Sequence, residues 1–299
     1  MTPSLVWDTD GANWPNRRFS RFVDAGACRW HIQRAGAGPR VLLIHGTGAS
    51  THSWAGLFPL LAARCDVLAA DLPGHAFTRA TEAAETSLPG MAAGLSQLIG
   101  QTGFQPDILI GHSAGAAIAI RLAANLAQPP AYVIGLNAAL RPLGGMAGLA
   151  GPFIARAMTV SPLMARLIAR RACDRDRIAR LIRSTGSTPS EPYLGIYAKL
   201  FANPAHVRGT LRMMAGWDVS DIDRDIRRAP YPLALMTGDL DQAVSPAEAA
   251  EFASRYKGVH HLPLTGLGHL AHEEDPERIF EALLALIGDR QFEGKRARA

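Results

Sequence analysis

One short motif constrains the fold of this chain more than any other feature. Residues 111–115 have the sequence GHSAG, which fits the pattern Gly-x-Ser-x-Gly. Residues 107–110 lead into it as a short buried strand, and residues 114–127, nearly all small or apolar, predict a helix. A serine on a sharp turn between strand and helix is a nucleophile elbow, in which the glycines leave room for closely approaching backbone. Gly/Ala-rich sequence produces such motifs by chance, so the flanking strand and helix decide the interpretation. We predict an α/β fold with Ser113 as the nucleophile.

The acid that such a nucleophile requires is expected further along the chain. Residues 233–237 predict a buried strand, and two aspartates, Asp239 and Asp241, lie in the loop after it. Asp239 follows the strand directly and is placed to hold the turn through hydrogen bonds to its own backbone. Asp241 lies further out, before a predicted helix, and is therefore the preferred acid.

The base is predicted to be a histidine near the end of the chain. His269 lies in a glycine-rich loop after a predicted strand at residues 258–264. It would take the proton from Ser113, while Asp241 orients the ring and stabilises its charged form. His272 is the rival base, but its acidic neighbours indicate a solvated residue at the start of a helix. We expect the triad Ser113, Asp241 and His269.

Two backbone N–H groups are candidates for binding the oxyanion of an acyl-transfer reaction. One belongs to Ala114, at the start of the helix after the nucleophile, and the other to Thr47, in the loop after a predicted strand at residues 41–44. His45 and His112 raise the alternative of a metal site, yet no third ligand stands at metal-binding spacing. Both histidines are therefore interpreted as hydrogen-bonding residues of their loops, and no metal or other cofactor is predicted.

Five motifs in order connect the chain with a known superfamily. They are residues 45–48, 71–75, 111–115, 238–241 and 268–269. With these motifs the chain resembles the α/β-hydrolase superfamily over nearly its whole length. The resemblance implies an α/β-hydrolase fold: a mostly parallel central sheet flanked by helices, with an all-helical cap inserted after strand 6. Ala76 is a departure, because related hydrolases usually carry glycine there.

Further stretches indicate a narrower family. They are residues 13–17, 45–54, 87–91, 111–118 and 135–140, and together they exceed what catalysis demands. In these stretches the chain resembles the BchO family of magnesium-chelatase accessory proteins in bacteriochlorophyll biosynthesis. The resemblance implies a role where magnesium enters protoporphyrin, a small-molecule substrate that is a tetrapyrrole, and magnesium-chelatase subunits as partners. It supplies no established reaction.

Composition is that of a globular protein. Hydrophobic residues make up 48% of the chain and charged residues 19%, which argues against disorder. Cys28, Cys65 and Cys173 are odd in number and unclustered, which predicts inert thiols in a reducing compartment. Asp8 and Asp10 stand where a signal peptide would be apolar. We expect a cytoplasmic protein, at most peripheral to the inner face of the membrane.

The order of patterns divides the chain into four parts. Strand and helix patterns alternate to residue 139, typical of a mostly parallel sheet. The next ninety residues show only helical patterns, broken by glycine and proline. We therefore expect a first core part at 1–139, a helical cap at 140–228, a second core part at 229–290 and a disordered tail at 291–299.

The predicted cap is strongly basic. Residues 140–230 contain 15 Lys/Arg and 7 Asp/Glu. The plain interpretation is a solvated basic helix face over an apolar core. The alternative is a lid with an apolar lining and a cationic rim, suited to a flat tetrapyrrole with carboxylates or to contact with an anionic membrane surface. Nucleic acid is disfavoured, because no binding fold or aromatic platform is recognisable. The candidate pocket or rim residues are His45, Trp54, His112, Met158, Arg156, Arg166, Arg170 and Met213.

Three functions remain open. The first is a serine hydrolase that cleaves an ester-like bond through an acyl-enzyme, in an accessory role in magnesium insertion. The second is a non-catalytic protein that binds a porphyrin or the chelatase, and the third is a general carboxylic-ester hydrolase unrelated to tetrapyrroles. A pure scaffold is disfavoured because a complete triad would be superfluous in it, and Ser113 excludes an aspartate nucleophile.

Overall fold

One nine-stranded sheet organises the part of the chain that the structure describes. The structure is a computed structural model, and it describes residues 4–81, 84–142, 161–171 and 174–288. The strands are β1 (Ser20–Ala25), β2 (Cys28–Ala35), β3 (Arg40–Ile44), β4 (Asp66–Ala70), β5 (Arg79–Ala80), β6 (Ile108–His112), β7 (Tyr132–Leu136), β8 (Leu233–Gly238) and β9 (Val259–Leu264). Their spatial order is β1-β2-β4-β3-β6-β7-β8-β9, and the short β5 pairs with β2.

The strands from β4 to β9 along this order pair in parallel, whereas β1 and β2 pair antiparallel with each other and β2 pairs antiparallel with β4. Strands β6 and β8 are buried along their whole length, as expected when helices cover both faces of a parallel sheet. In such a sheet the loops at the carboxyl ends of the strands meet at one edge, where ligands bind. The predicted mostly parallel α/β fold is therefore confirmed.

Helices cover the sheet on both faces. They are α1 (Trp7–Asp10), α2 (Leu57–Ala62), α3 (Leu88–Thr102), α4 (Ala114–Asn125), α5 (Pro162–Arg171), α6 (Arg175–Arg183), α7 (Glu191–Phe201), α8 (Pro204–Ala215), α9 (Ile222–Arg227), α10 (Pro246–Arg255), α11 (Ala271–Glu274) and α12 (Pro276–Ile287), with 3-10 turns at Arg17–Phe19 and Thr51–Trp54. Helices α3, α4 and α10 pack in one core cluster, and α2 and α12 in the other. In the described ranges, no helix has the length and hydrophobicity needed to cross a bilayer.

Among the described residues, five helices, α5 to α9, stand between β7 and β8 in the sequence. These helices lie where the all-helical insertion after the sixth strand is predicted; the two-residue β5 raises the number of the preceding strand to seven. Residues 143–160 of the expected cap and the expected tail at 291–299 lie outside the described residues. The division into core and cap at residues 139 and 228 stays a prediction.

The sequence pattern of residues 51–64 predicts a single helix, but the structure has two separate elements there. A 3-10 turn ends at Trp54 and α2 begins at Leu57. Pro59 lacks an N–H and is tolerated only in the first turn of a helix, so the helix begins just before it. A Cβ on the intervening Gly56 would lie 2.6 Å from Cγ of Pro276. The break therefore has a local cause, Pro59, and a distant one, the close packing of Gly56 against α12, which the sequence does not reveal.

Two cysteines behave as the sequence predicts. Cys28 and Cys65 are buried and form no disulfide. Burial raises the pKa of Cys28 to about 11 and that of Cys65 to about 12, so neither is a reactive thiolate near neutral pH. Cys173 lies outside the described residues.

Two glycines allow a test of the packing behind the elbow. A Cβ on Gly115 would overlap the backbone carbonyl of Ile44, whereas nothing lies within 4 Å of a Cβ on Gly100 in α3. We expect Gly115→Ala to lower the free energy of unfolding by ~1–3 kcal/mol, as overpacking does. Gly100→Ala should raise it by ~0.5–1 kcal/mol, because alanine is the better helix former. Urea unfolding measures both, and a Gly115→Ala protein as stable as the wild type would contradict the close packing.

Candidate active site

Ser113 occupies a strained turn between β6 and α4. Its backbone has φ 52° and ψ −119°, a left-handed conformation that non-glycine residues adopt only when the surroundings impose it. Two backbone hydrogen bonds hold it here: the N–H of Ser113 donates to the carbonyl of Leu136 at 2.9 Å, and the carbonyl of Ser113 accepts from the N–H of Ala139 at 3.1 Å. A Cβ on Gly111 would overlap the carbonyl of Gly115. The two motif glycines are thus required by close approach of backbone, as predicted.

Two unpaired backbone donors lie beside this turn. Among the described residues, neither the N–H of Thr47 nor that of Ala114 has a hydrogen-bond partner. Ala114 is the first residue of α4, so its N–H stands at the positive end of the helix dipole. The loop that carries Thr47 passes close to the nucleophile, since a Cβ on Gly46 would lie 3.1 Å from Cβ of Ser113. These are the two N–H groups expected for an oxyanion hole.

His269 and Asp241 form a buried pair. His269 Nδ1 lies 2.8 Å from Asp241 Oδ2, which also accepts from Asn137 Nδ2 at 2.7 Å. Asp241 Oδ1 accepts from the backbone N–H groups of Ala243 and Val244 at 2.8 and 2.9 Å. Burial raises the pKa of Asp241, but the hydrogen bond and charge of His269, with the other donors, outweigh it and leave the pKa below its ordinary value. Asp241 is therefore a carboxylate.

This pairing selects the tautomer of the histidine. A carboxylate at Nδ1 places the proton there, which leaves Nε2 of His269 able to accept one. Ser113 and His269 line the same cavity, yet within the described ranges no hydrogen bond joins Ser113 Oγ to His269. Such contacts are often long in unliganded enzymes and tighten in the substrate complex. The structure thus brings all three predicted residues to one place, and their catalytic roles stay a prediction.

The cavity above Ser113 is small and mostly apolar, with a volume of about 210 Å³. Its floor is formed by the loop at residues 46–49 and by the elbow. Its walls include Leu181 and Ile182 from α6 and Tyr197 and Phe201 from α7. The helical insertion therefore covers the site at the carboxyl edge of the sheet.

Comparison with known proteins agrees with this geometry. A model described as the alpha/beta hydrolase family matches residues 41–282. The chain belongs to this family. The resemblance deduced from the five motifs is thereby confirmed, and with it the α/β-hydrolase fold.

The relatives of this α/β hydrolase include a chelatase subunit. This chain is 39% identical over 264 residues to the magnesium-chelatase 30 kDa subunit of Rhodobacter capsulatus, and the match covers 88% of this chain and 92% of the relative. It is 26% identical over 264 residues to pyrrolizixenacetamide deacetylase of Xenorhabdus hominickii, covering 84% and 92%. A solved α/β hydrolase fold protein of Burkholderia ambifaria superposes with a TM-score of 0.74 at 20% identity, covering 95% of this chain and 100% of the other. The first likeness confirms the magnesium-chelatase resemblance, and the last concerns the fold alone.

Asp239 braces the loop that carries the candidate base. Its Oδ1 accepts from the N–H of Gly266 at 2.6 Å, three residues before His269. The expectation that Asp239 holds the turn through its own backbone is wrong: Asp241 makes the local bonds, to residues 243 and 244. Asp239 is exposed, which agrees with a structural part and not a catalytic one.

His272 is not the solvated residue that the sequence predicts. It is fully buried, and its ring lies 4.5 Å from the rings of both Trp54 and His112. Its Nε2 is 2.8 Å from Ser53 Oγ, which in turn donates to Glu273 Oε1. The short helix α11 packs against the 3-10 turn at residues 51–54, so Glu273 is interior as well, and His272 does not line the cavity.

His45 and Trp54 are also placed outside the cavity, contrary to prediction. His45 Nδ1 bonds to the carbonyl of Gly46 at 2.7 Å, and its Nε2 accepts from the N–H of Leu72 at 2.9 Å. Burial lowers the pKa of His45 to about 4, so it is a neutral support of the loop. Trp54 is fully buried against His272. Both side chains are occupied by packing within the core.

Of the other two candidates, His112 lies at the cavity, whereas Met213 does not line it and contacts Thr47 instead. His112 lines the cavity, and its Nε2 bonds to the backbone carbonyl of His269 at 2.9 Å. Burial, reinforced by His269, lowers the pKa of His112 to about 3, so the ring is a neutral donor that positions the base. Met213 is buried, and its Sδ accepts from Thr47 Oγ1 at 3.6 Å, which holds the oxyanion loop.

The predicted arginine rim is dispersed. Arg166 lines a different cavity, described below. Arg170 is exposed at the end of α5. Arg156 and Met158 lie outside the described residues. No group of three or more His, Cys, Asp or Glu in the described part could hold a metal ion.

Asn137 is a site residue that sequence reasoning missed. It is fully buried with φ 48°, and its side chain donates to Asp241 and, at 3.2 Å, to the carbonyl of Gly268. It therefore ties the acid to the loop of the base. The available signal was its position directly after β7, where a polar side chain falls at the carboxyl edge of the sheet.

The buried side chain of Glu273 should make the free energy of unfolding depend on pH. Burial raises its pKa from 4.5 to about 8, although hydrogen bonds from Ser53 and Tyr197 oppose the rise. Between those pH values the folded protein holds a proton that the unfolded chain releases. This contribution to stability is therefore lost as the pH rises toward 8.

Urea unfolding of Glu273→Gln should remove this loss, because the amide keeps the shape and does not titrate. Relative to the variant, the wild type should lose stability between about pH 5 and pH 8. The exposed Glu277→Gln serves as the control. Parallel pH profiles for the wild type and Glu273→Gln would contradict the buried neutral carboxyl.

Proposed function

We propose that this α/β hydrolase is a serine hydrolase that cleaves an ester-like bond through an acyl-enzyme on Ser113. The observation that carries the proposal is the strained Ser113 turn, which opens on a cavity shared with His269. The 2.8 Å pair of His269 and Asp241 orients the base as a triad requires.

In the proposed reaction Ser113 Oγ attacks the acyl carbonyl and passes its proton to Nε2 of His269. The carbonyl oxygen becomes an oxyanion, which the N–H groups of Thr47 and Ala114 stabilise. His269 then gives the proton to the leaving group as the carbon–heteroatom bond breaks. Water attacks the acyl-enzyme by the same route, releasing the acid and restoring Ser113.

The cavity supports a short, uncharged acyl group. Among the described residues that line it there is no Lys, Arg, Asp or Glu, and the walls from α6 and α7 are mostly apolar. Its volume of about 210 Å³ is below the ~300–1000 Å³ of common ligand pockets. One relative is named a deacetylase, and removal of an acetyl group is acyl chemistry of the proposed kind.

A fluorophosphonate probe tests this proposal without knowledge of the substrate. We expect covalent labelling of the native protein and none after heat denaturation. In parallel, p-nitrophenyl esters should be hydrolysed faster as acetates than as octanoates, because the cavity is small. A native protein that neither reacts with the probe nor cleaves any ester would contradict the proposal.

The biological setting that we propose is an accessory role in magnesium insertion into protoporphyrin. Its support is the 39% identity to a protein named as a magnesium-chelatase subunit. Chelatase subunits would then be partners, and the substrate would be a tetrapyrrole that carries a short ester-linked acyl group. Addition of the wild-type protein to a reconstituted chelatase should raise the rate of magnesium insertion, and the Ser113→Ala protein should not.

That assay also tests the second candidate function, a non-catalytic binder of the porphyrin or the chelatase. The name of the same relative favours it, because a subunit need not be a catalyst. Equal stimulation by Ser113→Ala and by the wild type would support the binder. Ester turnover with no effect on the chelatase would leave a general carboxylic-ester hydrolase.

Peripheral membrane contact through the insertion is a further part of the proposal. Helix α5 exposes Leu163 and Leu167, at 66% and 45% of their surface, beside Arg166 and Arg170. Exposed leucines next to arginines suit an anionic bilayer surface. Sedimentation with anionic vesicles, and not with neutral ones, is the expected result.

A further inference from the structure

A second and larger cavity lies between the core and the helical insertion. Its volume is about 640 Å³, within the range of pockets that hold small molecules. The core contributes the loop and strand at residues 74–80, and the insertion contributes α5 and α8. None of the described residues lines both this cavity and the cavity above Ser113.

Four arginines line this second cavity: Arg79, Arg166, Arg208 and Arg212. None of the described residues that line it is an aspartate or glutamate. His206, which also lines it, has a pKa lowered by burial to about 3 and is neutral. The cavity therefore concentrates positive charge, and like charges held together favour a bound anion.

The arginines are fixed by three separate elements. Arg208 and Arg212 are one turn apart on α8, on the face that also presents Ala205 and Gly209. Arg166 comes from α5, which packs on α8 through Ala165, Ala169 and Val207. Arg79 comes from β5, at the edge of the sheet. In the described part, the side chains of Arg79 and Arg166 have no hydrogen-bond or ion-pair partner.

The remaining wall is largely apolar. It includes Leu5, Ala76, Phe77, Ala80 and Pro162. A small inorganic anion would leave this surface unused, whereas an apolar body would cover it. The guanidinium group meets carboxylate and phosphate oxygens with two parallel hydrogen bonds, which gives it geometric specificity for such groups.

We propose that this cavity is a binding site for a molecule that joins an apolar body to two or more oxyanion groups, carboxylate or phosphate. The site is distinct from the candidate hydrolytic site, and its ligand would be recognised and not cleaved there.

His206 joins the two sites structurally. Its Nδ1 accepts from the N–H of Ala76 at 3.0 Å, so the proton is on Nε2, which donates to the carbonyl of Gly48 at 3.1 Å. Gly48 follows Thr47 in the loop of the proposed oxyanion hole. The second cavity thus shares a supporting residue with that loop while remaining a separate space.

Protoporphyrin, a flat apolar ring with two carboxylates, is a suitable probe. Tryptophan quenching should show saturable binding that weakens as sodium chloride is raised, because surface and cavity arginines are screened by salt. Arg79→Gln/Arg166→Gln should weaken binding about tenfold or more, since hydrogen bonds between a guanidinium group and an oxyanion are stronger than those between neutral groups. The control, Arg180→Gln/Arg183→Gln on α6, removes the same charge from an exposed face and should bind as the wild type does.

Three outcomes would overturn the proposed site. In the first, protoporphyrin binding is weakened equally in the two double variants; in the second, the neutral dimethyl ester of protoporphyrin binds as tightly as the acid. In the third, the protein does not bind protoporphyrin. Tight binding of pyrophosphate together with no binding of protoporphyrin would show that the ligand has no apolar body. Fluorophosphonate labelling should be unchanged in Arg79→Gln/Arg166→Gln, and protoporphyrin binding unchanged in Ser113→Ala. Loss of binding in Ser113→Ala would place the ligand in the hydrolytic cavity, so failure of this site and failure of the hydrolase proposal are separable.

Discussion

Replacement of Ser113 by alanine is expected to abolish fluorophosphonate labelling and to lower ester turnover by on the order of 10⁴ to 10⁶. The hydroxyl is the atom that attacks, and no other described serine lines the cavity with His269. Alanine keeps the Cβ and the backbone of the turn, so the fold should persist. Release of p-nitrophenolate under saturating ester and gel fluorescence of the probe measure the two effects.

The matched control is Ser254→Ala, an exposed serine on α10, which should behave as the wild type. Circular dichroism and urea unfolding establish that the Ser113→Ala protein is folded. Labelling that persists in a folded Ser113→Ala protein would show that the nucleophile lies elsewhere.

Replacement of Asp241 by asparagine is expected to lower turnover by about 10⁴. An amide can donate a hydrogen bond to Nδ1 of His269 and so favours the tautomer that has its proton on Nε2, where it cannot accept one from Ser113. The loss should appear in kcat and not in KM, because the acyl cavity is unchanged. Steady-state kinetics with p-nitrophenyl acetate measure it.

Asp239→Asn makes the same chemical change two residues away and is the control. Its amide oxygen still accepts from Gly266, so turnover should stay within a few-fold of the wild type. A large loss of turnover in Asp239→Asn, with Asp241→Asn nearly active, would show that Asp239 and not Asp241 is the acid.

Elements with local signals at their ends were predictable from the sequence. The sequence predicts a helix at residues 88–102, and α3 spans these residues because Ser87 caps its start and Gly103, at φ 60°, ends it. The triad candidates were also predictable, because each follows an apolar strand whose carboxyl end meets the others at one edge of the sheet. Neighbours in sequence decide both of these features.

Features that depend on contacts between distant segments were not predictable. Glu273 is 3% exposed although its acidic neighbours in the sequence are typical of a solvated turn. The prediction that His272 beside it is solvated was wrong for the same reason. Arg166 was expected at the rim of the hydrolytic cavity, but the packing of α5 on α8 directs it to the other one. Asn137 can bond to Asp241 and to the loop of His269 only because the folded chain brings the end of β7 next to these two loops.

Trapping of the acyl-enzyme on Ser113 is the most direct experiment on the proposed chemistry. The wild-type protein is mixed with p-nitrophenyl acetate, quenched in acid within the first turnover, digested and examined by mass spectrometry. We expect an acetyl group on the peptide that contains Ser113, which disappears on longer incubation as water releases it. Ester turnover without any acylated Ser113, or a stable acetyl group only on other residues, would contradict the proposed chemistry.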